Sequence, residues 1–209
     1  MRERSSAWVT IGLFILVSAT LSTAGCLSDD ELDSLWDDCM ESISPHRESL
    51  DNYLLVYTIG IDLWNIELAG DAPNPRTLRT QIAREGAFLN DLSDKHGVLT
   101  GAVTRFSDYA GTLDGSRGEW AVGVASDLRR YDEEMWNVQN AFKGRLAALS
   151  QYLDLAESGR GDTAEALSYL ESANTLASSA GAAIARADAA RDRAESQYGD
   201  APLPKIHLL

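Results

Sequence analysis

Residues 78–113 read LRTQIAREGAFLNDLSDKHGVLTGAVTRFSDYAGTL, and the spacing of their apolar positions decides the fold. Leu78, Ile82, Leu89, Leu92, Leu99, Val103, Phe106, Ala110 and Leu113 recur at alternating steps of four and three, interrupted only by Glu85 and His96. An α-helix turns once every 3.6 residues, so this spacing draws one unbroken stripe along a helix, the pattern of a coiled coil or bundle.

The same period continues in both directions. Downstream it runs through Leu128, Tyr131, Met135, Val138, Phe142, Arg145, Leu149, Tyr152 and Ala156. It returns in Ala166, Leu170, Ala173, Ala177, Ala180, Ile184, Ala187, Arg191, Ala194 and Tyr198. Upstream a less regular set reads Leu32, Trp36, Cys39, Ile43, then Leu50, Leu54, Tyr57, Ile61, Trp64 and Leu68, with Ser44-Pro45 between its halves. Proline removes a helical hydrogen bond, so a kink or short break is expected near Pro45. No proline lies between Pro75 and Pro202, which leaves the other three stripes free of the strongest helix breaker.

Turn chemistry falls between the stripes. Gly70-Asp71-Ala72-Pro73-Asn74-Pro75 offers Asn74 as an N-cap before a first-turn proline; Asp114-Gly115-Ser116 and Ser158-Gly159-Arg160-Gly161 supply the other turns. Helices are predicted at 30–69, 75–113, 116–157 and 162–198, each ~60 Å long at 1.5 Å per residue. Short loops make sequential neighbours antiparallel, so the predicted fold is all-α, a long up-down four-helix bundle over residues 30–198 with a tail at 199–209.

The polar breaks in the stripes are the candidate site residues. Antiparallel pairing puts Glu85 level with Arg145 and Asn174, and two stripes that break at one height with opposite charge predict an interior ion pair. His96 falls level with Glu133, Glu48 and Arg186, which predicts a second polar layer. Three residues before His96 stands Ser93, not the Glu of a Glu-x-x-His pair, so no metal site and no cofactor is expected there. Trp36, Tyr109, Trp120 and Tyr198 fall together at one end as a candidate aromatic cluster, which could close the base of the bundle or line a pocket.

The 209 residues carry 18 Lys+Arg against 32 Asp+Glu, a formal net charge of -14. Binding through nucleic-acid phosphates needs clustered Lys and Arg, so that class is excluded. No HExxH, GxSxG, GxxxxGK, GxGxxG or CxxCH motif occurs, and the chain reads as a non-enzyme.

The first 26 residues place the protein. Arg2 and Arg4 precede an apolar run from Ala7 to Leu21 and then Ser22-Thr23-Ala24-Gly25-Cys26, the order of charged, hydrophobic and small segments in an export signal. The last four residues resemble the lipobox of prokaryotic membrane lipoproteins, with Thr23 where that pattern has a larger aliphatic residue. The resemblance covers this segment alone. It implies removal of residues 1–25, a diacylglyceryl group on Cys26 as the new N-terminus, and a lipid-anchored linker at 26–29. The alternative is an uncleaved anchor, since Ala7–Ala24 approaches the lower length of a membrane span. Either way the arginines stay inside and the bundle faces outward. If Cys26 is acylated, Cys39 has no partner for an intramolecular disulfide.

The expectation from sequence is therefore a lipid-anchored, extracytoplasmic bundle that acts by binding an unidentified protein or as a structural spacer. The alternative is an extracytoplasmic ligand-sensing or solute-binding four-helix bundle, an analogy at the level of fold.

Overall fold

The computed structural model describes residues 6–70, 74–158 and 163–201, with the side chains of 6–29 and of residue 163 outside that description. Within them the chain is four helices and no strand: α1 (Ser6–Ala69), α2 (Pro75–Ala110), α3 (Gly115–Ser158) and α4 (Thr163–Gly199). Their contacts are those of a four-helix bundle, with α1 against α2, α2 against α3 and α3 against α4.

The α1–α2 corner is built by Asn74. Its side chain accepts from the backbone N–H of Arg76 (3.1 Å) and Thr77 (3.4 Å), which satisfies two of the donors a helix start leaves unpaired, and Pro75 occupies the first turn. Glu67 Oε2 accepts from Asn74 N at 2.7 Å and ties the end of α1 to the start of α2. At the opposite end α2 stops at Ala110, three residues before the predicted Leu113, and Thr112 N donates to Tyr109 O at 2.9 Å in a tightened last turn. Gly115 opens α3 at φ 65°, a left-handed conformation that glycine takes without a steric penalty. Gly118 sits against the Leu113 carbonyl, where any Cβ would overlap the backbone.

The first helix differs from the short-break alternative and, in part, from the predicted stripe. It passes through Pro45 without a break. Glu41 and Pro45 are both exposed, so the carbonyl that loses its N–H partner can turn to water. Its stripe also stays in register: Leu32, Cys39, Ile43, His46, Leu50, Tyr53, Gly60 and Trp64 are buried at alternating steps completed by half-buried Trp36 and Tyr57. Of the predicted distal stripe, Leu50, Tyr57 and Trp64 lie on it; Leu54 and Ile61, one position past Tyr53 and Gly60, are half-buried flanks, and Leu68 is exposed.

Two apolar clusters fill the interior. The larger runs from Leu32 and Phe106 to Phe142 and Leu146; the smaller gathers Trp64, Leu78, Leu149, Leu153 and Ala173 near the α1–α2 corner. Ala173, Ala180, Ala183, Ala187, Ala190 and Ala194 give α4 a buried face of methyl groups, and that face lets its backbone lie close to α3. Among the described residues no Cα of α1 comes within 8 Å of a Cα of α4. Long side chains bridge this wider seam: Arg47 reaches Asp188 at 2.6 Å, and Trp36 stacks on Tyr198.

Candidate functional site

Three layers are built from the polar and aromatic residues singled out by sequence, although Glu48, Glu133, Asn174 and Arg186 are exposed. Cys26, the lipidation candidate, lies outside the described side chains.

The first layer joins Glu85 of α2 to Arg145 of α3. Arg145 Nη1 donates to Glu85 Oε2 at 2.6 Å, with the two side chains 6% and 0% exposed. Gln81, one turn before Glu85, donates through Nε2 to Glu85 Oε1 (3.2 Å) and to the Val56 carbonyl (3.1 Å). The Arg145 guanidinium also lies 4.6 Å from the Tyr57 ring centroid, a cation–π contact that covers its face. Burial pushes the Glu85 carboxyl above its ordinary range, and Arg145 and Gln81 oppose that push. Gly60 makes room for the cluster, because a Cβ there would overlap Glu85 Oε1 and come within 2.7 Å of Gln81 Nε2. Asn174 is not part of this layer: it is exposed on α4.

The second layer holds His96, with partners that differ from those read in the sequence. Glu48 and Glu133 are both exposed. His96 Nε2 lies 3.5 Å from Asp132, and Arg186 forks onto Glu134 with two 2.8 Å bonds. Pairing arithmetic fixes height along a bundle, whereas one residue changes azimuth by about 100°. That rotation carries Glu133 outward and leaves its neighbours on either side to make the contacts. The Arg186 guanidinium holds the Glu134 carboxyl below its usual range.

His46, overlooked at the expected break, faces His96 across this layer. The ring centroids are 5.5 Å apart at an interplanar angle of 53°, and His46 is fully buried. Burial, followed by the charges of His96 and Arg47, lowers its pKa to about 4. Burial also lowers His96 against the opposing pull of Asp132. Neither His46 nitrogen has a hydrogen-bond partner among the described residues, and nor does His96 Nδ1. The signal for His46 was in the sequence: it continues the 4-3 spacing from Ile43 to Leu50 across the proline. Below it Cys39 is a free, buried thiol that burial pushes up to about 12, a small apolar core residue without a reactive thiolate.

The third layer is aromatic. Trp36 and Tyr198 stack with centroids 4.0 Å apart and planes within 4°; Trp120 packs on Tyr198 at 5.4 Å and donates from Nε1 to the Gln197 carbonyl at 2.7 Å. Phe106 meets Trp36 edge-on, and half-buried Tyr109 packs against the same core. The Tyr198 hydroxyl donates to Asp33, which closes the α1–α4 seam at this end. The rings pack directly on one another at this level.

Comparison with family models, with curated proteins and with solved structures finds no match to the chain. Among the described residues no helix is long and apolar enough to cross a membrane.

Proposed function

We propose that the protein is a lipid-anchored, extracytoplasmic helical bundle, held to the cell membrane through Cys26, that acts by binding another protein or by spacing it from the membrane and performs no chemistry of its own. The observation that carries this reading is the order of Arg2 and Arg4, the apolar run from Ala7 and the small residues before Cys26. An up-down bundle supports it, because four antiparallel helices return both ends of the chain to one side. The directly packed aromatic base supports contact or spacing over a pocket at that level. Leu55, Ile59 and Ile66 recur on the outer face of α1 with exposures of 62%, 46% and 70%, a surface that suits a protein partner.

Labelled fatty acid supplied to cells making the full chain tests the anchor. The wild type incorporates label and fractionates with membranes; Cys26→Ala incorporates none. Equal labelling of the two proteins would remove the anchored reading. A photo-crosslinker at position 59 then separates the two modes: one discrete adduct is the signature of a partner, and its absence that of a spacer.

A further inference from the structure

We propose that the outer face of α1 between Leu55 and Ile66 is a docking surface for one amphipathic helix of another protein, a helix apolar at 4-3 spacing and basic along its flank. This rests on the partner-binding mode proposed above and gives that partner a chemistry.

The distal part of α1 is apolar on two sides. Residues 54–68 read LLVYTIGIDLWNIEL, ten of them aliphatic or aromatic, more than one interior stripe can use. The bundle buries Val56, Gly60 and Trp64. At about 100° per residue, Leu55, Ile59, Asp62 and Ile66 fall on the opposite side, and all four are exposed. A helix that is apolar all round is ordinarily covered all round. Elsewhere among the described residues the exposed large apolar side chains, Val98, Val122, Trp136 and Leu167, are scattered over three helices, and scattered residues need no partner. On α1 three of them share one line, with exposed Leu68 just beyond.

Spacing and charge select the occupant. The steps from Leu55 to Ile59, Asp62 and Ile66 are four, three and four, the same as in the interior stripes, and they draw a seam ~17 Å long for another helix to lie along. Asp62 takes the one polar position in that seam, and Asp51 stands one turn before Leu55. Both are exposed, and neither has a hydrogen-bond or ion-pair partner among the described residues. Inside the bundle a carboxylate set in an apolar stripe, Glu85, is answered by Arg145 at 2.6 Å. No Lys or Arg occurs on α1 between Arg47 and its end at Ala69, so on the outer face the answering cations come from the partner. A second copy of this face would bring the same carboxylates and no cation, which disfavours self-pairing. A lipid surface is disfavoured too, because anionic headgroups repel the two aspartates and Leu55 lies about 43 Å along α1 from Cys26.

The test places the full chain in nanodiscs of neutral phosphatidylcholine and titrates it into two fluorescent three-heptad peptides, with empty nanodiscs as the blank. Both peptides carry Ile and Leu along the seam; one has Lys at the flanking positions and the other Glu. The expected result, read by anisotropy, is one saturable site per chain for the Lys peptide, at least tenfold tighter than for the Glu peptide and weakened by added salt. Leu55→Ser with Ile66→Ser should weaken it at least tenfold, Val98→Ser should leave it unchanged, and Asp51→Lys with Asp62→Lys should reverse the preference between the peptides. Should the Ser variant fail to fold, the charge reversal and a photo-crosslink from position 59 to the Lys peptide decide. No saturable binding, equal affinity for the two peptides, or binding unchanged in the folded Ser variant would each overturn the proposal. In cells, a crosslink from position 59 to a second copy of the chain would overturn the basic helix and leave partner binding standing, whereas no adduct at all would remove both.

Discussion

Glu85 and Arg145 show how a single charge can be carried in the core of an otherwise apolar stripe. Each is buried, and each is intelligible only with the other and with Gln81. Arg145→Leu alone should cost about 3–5 kcal/mol, because it strands the carboxyl, whereas Glu85→Leu with Arg145→Leu should return to within about 1 kcal/mol of wild type. Chemical denaturation of the four members of this cycle is the check, and additive losses would contradict the pairing. His46 sets the acid limit of the same core. Its folded pKa is depressed to about 4 while the unfolded chain titrates near 6.5, so its contribution is fully present above pH 6.5 and is lost as pH falls from there toward 4. His96, lowered too, acts in the same direction. Between pH 6.5 and 5 the wild type should lose about 2 kcal/mol through His46, and His46→Leu should lose less over the same interval. Denaturation midpoints across that range measure it, and identical slopes would exclude His46 as the source.

At the scale of the helix, the informative element is α1. The period in α2, α3 and α4 is legible because no proline interrupts it, and the charged breaks at Glu85 and Arg145 are legible because opposite charges fall at one height. In α1 the proline suggests a boundary, and a stripe restarted beyond it leaves His46, Tyr53 and Gly60 out of the interior. Glu133 shares the height of His96 but faces outward, since height along a bundle follows from loop lengths but azimuth depends on packing. Asn174 matched the height of Arg145 and still faces water. Gly60→Ala tests the corrected stripe. Alanine favours a helix over glycine by about 1 kcal/mol, but its Cβ would displace the Glu85 carboxylate from Arg145, and the net effect should be a loss of about 1–3 kcal/mol. Pro45→Ala should do the opposite, restoring a hydrogen bond to Glu41 at an exposed turn and stabilising the protein by about 1 kcal/mol or more. Thermal melts of the two variants, moving in opposite directions, check both.

For the whole molecule, the sequence carried the architecture further than the chemistry. Long 4-3 stripes and short loops define a bundle whatever its task, and the wide α1–α4 seam could not be read from them, because it follows from side-chain size: alanines draw α4 to α3, whereas Trp36, Arg47 and Tyr198 hold it off α1. The reading of location rests on the residues around Cys26. Intact mass of the protein recovered from membranes tests it most directly. The account predicts a chain that begins at Cys26 and carries the added mass of a diacylglyceryl group; a mass that retains residues 1–25 without that addition would contradict it.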